Sequence, residues 1–239
     1  MLNQPVLLMK IEDRVVECTI VERTSRFTVK VVIDNYVEKV HITNTGRLKE
    51  FIVKDKTGYC VEINGFKLKY RLIAVSDNGY AALIDTLLQE RAFIQAVHGN
   101  YIPWFKNCYL YRRNYRLNNS VIDFVFKCND RLVLVEVKSA VLRIDEYYGS
   151  YPDCPSIRGR KQIMDLIKYV ENNGLAYIVF IVGLPRVYGF KPYSKADPII
   201  AELLKEAYNK GVYLKAVSIY YDPFNKGIVL ENPDLEVNL

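Results

Sequence analysis

Asp123, Glu136 and Lys138 are the residues of this chain whose types and spacing best suit chemistry. Asp123 lies in Ser120-Val-Ile-Asp-Phe-Val-Phe, the other two in Leu132-Val-Leu-Val-Glu-Val-Lys-Ser. Both runs are rich in β-branched and aromatic residues and read as short strands. Asn129-Asp130 reads as a tight two-residue turn between them, which sets Asp123 directly opposite Glu136. Opposed Cβ atoms are roughly 5 Å apart, so two carboxylates there repel unless a cation lies between them. Lys138, two residues past Glu136, projects from the same face. Two acids and a lysine at one point can hold a divalent metal and a phosphate, the equipment of metal-assisted phosphodiester hydrolysis. A cross-strand ion cluster on a solvated face would leave the same pattern. Val133, Val135 and Val137 make the opposite face apolar under either reading.

Composition bounds what could surround such a site. With 239 residues, half of them apolar, the chain can bury one large core or two small ones. A net charge of +6 and a pI near 8.9 permit a polyanionic partner without requiring one. The five cysteines, Cys18, Cys60, Cys108, Cys128 and Cys154, show no C-x-x-C spacing, and there are two histidines, which argues against a zinc site. The cysteines read as reduced core residues of a cytosolic protein. No apolar run reaches membrane-spanning length, and Met1-Leu-Asn-Gln-Pro lacks the features of a signal segment. The expectation is a cytoplasmic protein with no membrane partner.

The elements that must position the acids fall into two groups. Residues 15–21, 27–33, 37–42, 59–63 and 68–75 are strand-like, with turns at Asp34-Asn35, Lys56-Thr57-Gly58 and Asn64-Gly65. Five short strands and one helical turn near residues 48–52 predict a small closed barrel of the OB type. Composition changes at Asp77-Asn78-Gly79, the expected boundary between domains 1–78 and 79–239. Residues 81–96 carry apolar residues at a helical period. After the hairpin, a second helix is expected from Ser156 as cap to Glu171, and residues 176–182 read as a strand buried on both faces. A third helix opens at Asp197-Pro198 and ends at Gly211, and a last strand covers 212–220. Helix, hairpin, helix, strand, helix, strand describes an α/β sheet with helices on both sides.

The spacing of Asp123 and Glu136-Val137-Lys138 resembles the short motif of the PD-(D/E)xK nuclease superfamily. Further runs occur in order: His41-Ile-Thr-Asn-Thr-Gly-Arg-Leu-Lys, Ser120-x-Ile-Asp-Phe, Val135-Glu-Val-Lys-Ser, Tyr151-Pro-Asp-Cys-Pro-Ser-Ile-Arg-Gly-x-Lys and Ala196-Asp-Pro. With these, nearly the whole chain resembles the sugar fermentation stimulation protein family. Ile122 replaces the proline of the superfamily motif, and Gln89 stands where an asparagine is expected. The resemblance implies an N-terminal OB-like barrel followed by a restriction-endonuclease-like α/β domain with a mixed central sheet. It also implies binding of DNA, with RNA as an alternative, and cleavage dependent on Mg²⁺ or Mn²⁺. Asp123 and Glu136 would hold the metal and Lys138 would assist the attacking water. Glu90, near the buried face of the helix before the hairpin, either adds a ligand or is a solvated glutamate.

Basic and polar clusters are candidates for phosphate contacts. Arg158, Arg160 and Lys161, with Gln162, open a helix, where cations oppose the dipole unless an anion binds. Asn44 and Arg47 lie in a polar turn expected to face the second domain across a groove. His41 beside it reads as structural. Arg23 and Arg26 bracket a barrel turn beside Phe27, which is either a base platform or core. Asp153 reads as a turn residue and Trp104 as an apolar anchor. The expected function is DNA binding with little sequence preference and metal-dependent cleavage. A non-catalytic DNA-binding regulator on the same scaffold is the alternative, and a homodimer is the default assembly.

Overall fold

The computed structural model describes residues 4–65 and 67–239, so the start at Met1-Leu2-Asn3 lies outside the described residues. After β1 (Val6–Lys10) come five strands: β2 (Val15–Ser25), β3 (Thr28–Ile33), β4 (Tyr36–His41), β5 (Thr57–Glu62) and β6 (Tyr70–Asp77). β2 pairs with β3 and β5, β3 with β4, and β5 with β6, all antiparallel. A parallel contact between His41 and Arg71 joins β4 to β6 and closes the ring. The closed order β2-β3-β4-β6-β5 is that of an OB barrel. Asp34 and Asn35 both have positive φ, as a two-residue hairpin turn requires. Ile20, Val29, Val31, Val40 and Leu72 fill the interior, and the helical turn closed by Ile52 N to Leu48 O adds Leu48 and Phe51 to the same core. β1 stands apart from the ring.

β7 (Tyr80–Leu83) corrects the expected helix over 81–96. Ala81 and Ala82 pair with Ser76 and Val75 of β6, so the first residues of that span are strand. α1 (Thr86–His98) starts only after Asp85, whose carboxylate accepts from Leu88 N at 2.8 Å. A short 3-10 turn, Pro103–Phe105, leads to β8 (Cys108–Leu117), β9 (Ser120–Cys128) and β10 (Arg131–Ala140). Positive φ at Asn129 and Asp130 makes the predicted tight turn. β8 has no counterpart in the sequence reading, because most of it is exposed and lacks apolar alternation. Then follow β11 (Leu142–Ile144), β12 (Tyr148–Tyr151), α2 (Ile157–Glu171), β13 (Ala176–Val182), β14 (Gly189–Pro192), α3 (Pro198–Asn209), β15 (Tyr213–Asp222) and β16 (Gly227–Val237). The caps are as expected: Ser156 Oγ accepts from Gly159 N at 3.0 Å, and Asp197 from Ile200 N at 3.2 Å.

The second sheet is mixed. β10, β13 and β15 run parallel at its centre, with β9 and then β8 antiparallel on one side and β16 and then β1 on the other. Both faces are covered, so β13 is apolar throughout. Ile178 and Phe180 join Ile163, Leu166, Ile200 and Leu204 of α2 and α3. Val179 and Ile181 join Ala92, Phe93 and Val97 of α1. Among the described residues no helix is long and apolar enough to cross a membrane.

One expectation about the cysteines fails. Cys108 and Cys128 stand directly opposite each other on β8 and β9, with Cα atoms 4.2 Å apart, and form a disulfide. Opposed positions on an antiparallel ladder bring side chains close enough to bond. Cys18, Cys60 and Cys154 are free.

Barrel and sheet are joined through buried charge. Asp85 is fully buried, and its second oxygen lies 2.7 Å from Arg71 Nε on β6, held by charge because the N–H does not point along the contact. Burial pushes the Asp85 carboxyl above its ordinary value, while Arg71 and the cap hydrogen bonds pull the other way. Asp85→Ala removes the cap and leaves Arg71 without its counter-charge, so a loss of about 3–5 kcal/mol is expected. Asp85→Asn keeps a cap acceptor and is expected to lose less; denaturant melts of both variants check the order.

Candidate functional site

Asp123 and Glu136 meet where β9 and β10 part. Main-chain pairing between these strands runs from Cys128–Arg131 to Phe124–Val135, and beyond that point side chains take over. Val137 N donates to Asp123 Oδ2 at 2.8 Å, and Asp123 N to Glu136 Oε2 at 3.3 Å. β10 continues beside β13, from Glu136–Ile178 to Ala140–Val182, so the backbone that carries Glu136 and Lys138 is held on that side by the buried strand β13. Lys138 Nζ donates to Glu136 Oε1 at 2.7 Å and to Gln162 Oε1 at 2.8 Å. The amide of Gln162 is oriented by its own Nε2, which donates to Val121 O at 2.9 Å. α2 thus fixes a lysine on β10 in one position.

Electrostatics at this point disfavour negative charge on the protein alone. Glu136 is 2 % exposed; burial raises its carboxyl to about 7, against the pull of Lys138. Asp123 is raised by burial, offset in part by the Val137 N–H, Lys138 and Arg158. Glu90 on α1 is raised by burial and by Asp123, with Arg113 opposing. Burial works to lower Lys138, but Glu136 and the neighbouring groups outweigh it and keep the amine above its ordinary value, hence protonated. A divalent cation between Asp123 and Glu136 would favour the charged form of both carboxyls. Among the described residues no three acids, histidines or cysteines converge into a ligand cluster by themselves. Two carboxylates with the remaining positions left to water and phosphate still suit a hard cation such as Mg²⁺. The all-oxygen donor set fits that class of ion.

These groups open on a groove of about 360 Å³ between the barrel and the second sheet. Thr43, Asn44, Thr45 and Gly46 line one wall, and Glu90, Asp123, Lys138 and Arg158 the other. Asn44 Nδ2 donates to Ser139 Oγ at 3.2 Å, next to Lys138, and Thr86 N donates to Thr43 Oγ1 at 2.9 Å. Asp153 serves neither a local turn nor the acids: its Oδ2 accepts from Leu48 N at 3.0 Å and clamps the loop before α2 onto the barrel. Gly46 must be glycine for this approach, since a Cβ there would stand 2.6 Å from Asp153 Oδ2.

The structure separates the predicted basic residues. Arg158 lines the groove. Arg26, Arg47 and Lys161 are exposed outside its lining. Arg23 turns inward, with all five of its N–H donors engaged by the carbonyls of Ser25, Arg26, Asn44, Gly46 and Arg47. It shapes the barrel wall of the groove rather than meeting solvent. Arg160 is held by Asp197, with Nε at 3.1 Å from both oxygens. Phe27 is half exposed rather than core, with Arg26 5.6 Å from its ring centre and His41 stacked on it. Trp104 stacks on Tyr177 as an anchor, and Gln89 is buried with its amide on Leu83 O. Thr43, Thr86 and Ser139 were given no role from sequence, although Thr43 and Ser139 lie within the runs that carry the family resemblance. Gln162 was placed with the basic cluster; its spacing of one helical turn from Arg158 is what puts it on the groove face.

Glu136 predicts a pH signature. Its folded pKa is above that of an unfolded glutamate, so the native state holds the extra proton between about 4.5 and 7. Stability of the metal-free protein should therefore fall as pH rises through that window. Glu136→Gln is expected to flatten this slope, and urea melts across the range in chelator check it.

A family profile described as Sugar fermentation stimulation protein RE domain matches residues 87–225, and one described as SfsA N-terminal OB domain matches residues 21–84. A sugar fermentation stimulation protein homolog of Pyrococcus furiosus is 43% identical over 205 residues, 86% of this chain and 89% of its own. A homolog from Archaeoglobus fulgidus is 40% identical over 230 residues, 96% of this chain and 98% of its own. The solved structure of Pyrococcus furiosus SfsA in complex with Ca²⁺ is similar with a TM-score of 0.94 at 40% identity, covering 98% of this chain and 100% of that one. The chain belongs to the sugar fermentation stimulation protein family.

Proposed function

We propose that the protein is a divalent-metal-dependent nuclease that binds DNA through its backbone. The observation that carries this reading is the convergence of Asp123, Glu136 and a buried, protonated Lys138 in one polar groove. Asp123 and Glu136 would hold the cation, Mg²⁺ or Mn²⁺, and Glu90, which lines the same groove and whose carboxyl is raised by the charge of Asp123, would add to the negative field around it. The relative solved with Ca²⁺ supports a cation of the hard, oxygen-preferring class. When bound, such an ion supplies Lewis acidity and lowers the pKa of water.

The chain's own groups divide the remaining work. Lys138, held protonated against Glu136, has no lone pair to take a proton from water, so it acts as a fixed positive charge toward the charge that develops on the phosphoryl oxygens. Gln162 and Glu136 hold that charge in place without rearrangement. Arg158, at the first turn of α2, and the N–H groups of that turn suit a neighbouring phosphate. Asn44 and the Thr43–Gly46 wall confine the strand against the acids. In-line attack of water would leave a 3′-hydroxyl and a 5′-phosphate.

A regulator that binds DNA without turnover is the second reading. Its support is the Lys138–Glu136 ion pair, which engages one oxygen of a proposed metal ligand. Incubation with single-stranded and duplex DNA, and with RNA, in Mg²⁺, Mn²⁺ or EDTA separates the two. Metal-dependent cutting is expected, and Asp123→Ala or Glu136→Ala should lower it by about 10²–10³-fold or more, the scale of losing a preorganised electrostatic group. Intact substrate in every metal, with binding retained, would leave the non-catalytic reading.

A further inference from the structure

Among the described residues β8 pairs with β9 alone, as an outer strand, so one row of its main-chain groups faces away from the sheet. From Tyr109 to Leu117 it contains three arginines, three tyrosines and no acid. Tyr109 and Tyr111 are 51% and 60% exposed, with Lys127 opposite Tyr109 on the neighbouring strand. Arg112 and Arg116 are exposed and form no ion pair among the described residues. Arg113 alone has an acidic partner, Glu90 at 3.7 Å, and lies over the Phe124 ring. That contact ties β8 to the candidate site. Register does the same: Arg113 faces Phe124 and Tyr115 faces Ile122, so Asn114 lies level with Asp123.

The strand is built to refuse another strand. Tyr111 is the extra residue of a bulge between Leu110 and Arg112, and Asn114 is in the left-handed region with φ 52. A bulge, a kink and edge arginines are devices that block edge-to-edge pairing. Pairing with β8 of a second copy would also bring arginines against arginines, which is unfavourable. Unpaired cations interleaved with exposed aromatic rings instead match a single-stranded polyanion whose bases can stack.

We propose that β8 is an exosite for single-stranded nucleic acid, with Arg112 and Arg116 on phosphates and Tyr109 and Tyr111 stacking bases of the strand that leaves the groove. The inference rests on the nuclease reading for the nature of the ligand, but binding to β8 requires neither metal nor cleavage. The test is fluorescence anisotropy of a labelled oligothymidine of about 20 nucleotides, long enough to span groove and strand. A blunt duplex of equal length is the comparison. The full chain is used in EDTA with salt varied. The variants are Arg112→Gln/Arg116→Gln, Tyr109→Ala/Tyr111→Ala, and Lys205→Gln on α3 as a control.

The arginine pair is expected to weaken single-strand binding at least tenfold at low salt. It should also flatten the slope of log affinity against log salt by about 1.4, since each single-strand phosphate contact contributes roughly 0.7. The tyrosine pair should weaken the single strand more than the duplex, and the control should match wild type. Unchanged melting temperatures will show that the exposed substitutions leave the fold intact. Wild-type affinity in both β8 variants would overturn the exosite and leave the nuclease reading standing. Equal losses on duplex and single strand would overturn the single-strand assignment. A change in oligomeric state on sedimentation, with DNA affinity kept, would make β8 a contact between copies and overturn the proposal. Failure of the wild-type protein to bind the single strand in EDTA would also overturn the exosite, since binding there needs no metal, and the metal-dependent cleavage assay would then judge the nuclease reading separately.

Discussion

Lys138 and Glu136 are a charged pair withdrawn from water in the middle of a sheet, and much of the second half of the chain is arranged around keeping that pair satisfied. Removing each ion from water costs several kcal/mol, recovered only when geometry is good and the remaining hydrogen-bonding capacity is met. Glu136 meets the condition through Lys138 and the Asp123 N–H, Lys138 through Glu136 and the Gln162 carbonyl oxygen. Gln162 is available only because Ser156 caps α2 at the point that places its first turns over Val121. The parallel ladder of β10 and β13 holds the backbone beneath. Such a pair contributes less to stability than to position: it keeps a cation at one point beside Asp123 whether or not a ligand is present.

The groove owes its other wall to the barrel, and the contacts between the halves are polar and specific. Arg71 to Asp85, Thr43 to Thr86, Asn44 to Ser139 and Leu48 to Asp153 each join a residue of the first half to one that supports the site. Asp85 starts α1 and so sets where Glu90 points. Asp153 positions the loop that leads into α2. Arg23, by binding five carbonyls, stiffens the turn from Asn44 to Arg47 that forms the barrel's share of the groove. The barrel therefore acts on the candidate site by shaping it as well as by any surface it offers to nucleic acid.

Local pattern was enough for elements with a strong period or a clear cap. β13 reads as seven continuous apolar residues and is a strand over the whole of that span. Asn129-Asp130 specifies its turn, and through it the register whose last main-chain pair, Phe124–Val135, leaves Asp123 beside Glu136. Ser156 and Asp197 mark helix starts because a short side-chain oxygen there satisfies an orphan N–H. The pattern misled at Ala81–Leu83, where small apolar residues suit helix and strand alike and pairing with β6 decided for strand. It was silent at β8, an edge strand whose exposed arginines and tyrosines bury too little to leave an alternating trace.

By itself the sequence determined that two acids and a lysine share one face of a hairpin, because turn chemistry and the two-residue period of a strand are local properties. Tertiary structure alone decided what surrounds them. The oxygen that holds Lys138 comes from a helix 24 residues on, and the amide that meets Ser139 comes from a barrel loop 95 residues back. Contacts remote in sequence also separate the predicted arginines by fate. Arg23 was drawn to the carbonyls of Asn44, Gly46 and Arg47 and Arg160 to Asp197, while Arg158 remained at the groove. A guanidinium near carbonyls or a buried carboxylate is stabilised by them wherever the chain brings them together, and no local spacing encodes that meeting.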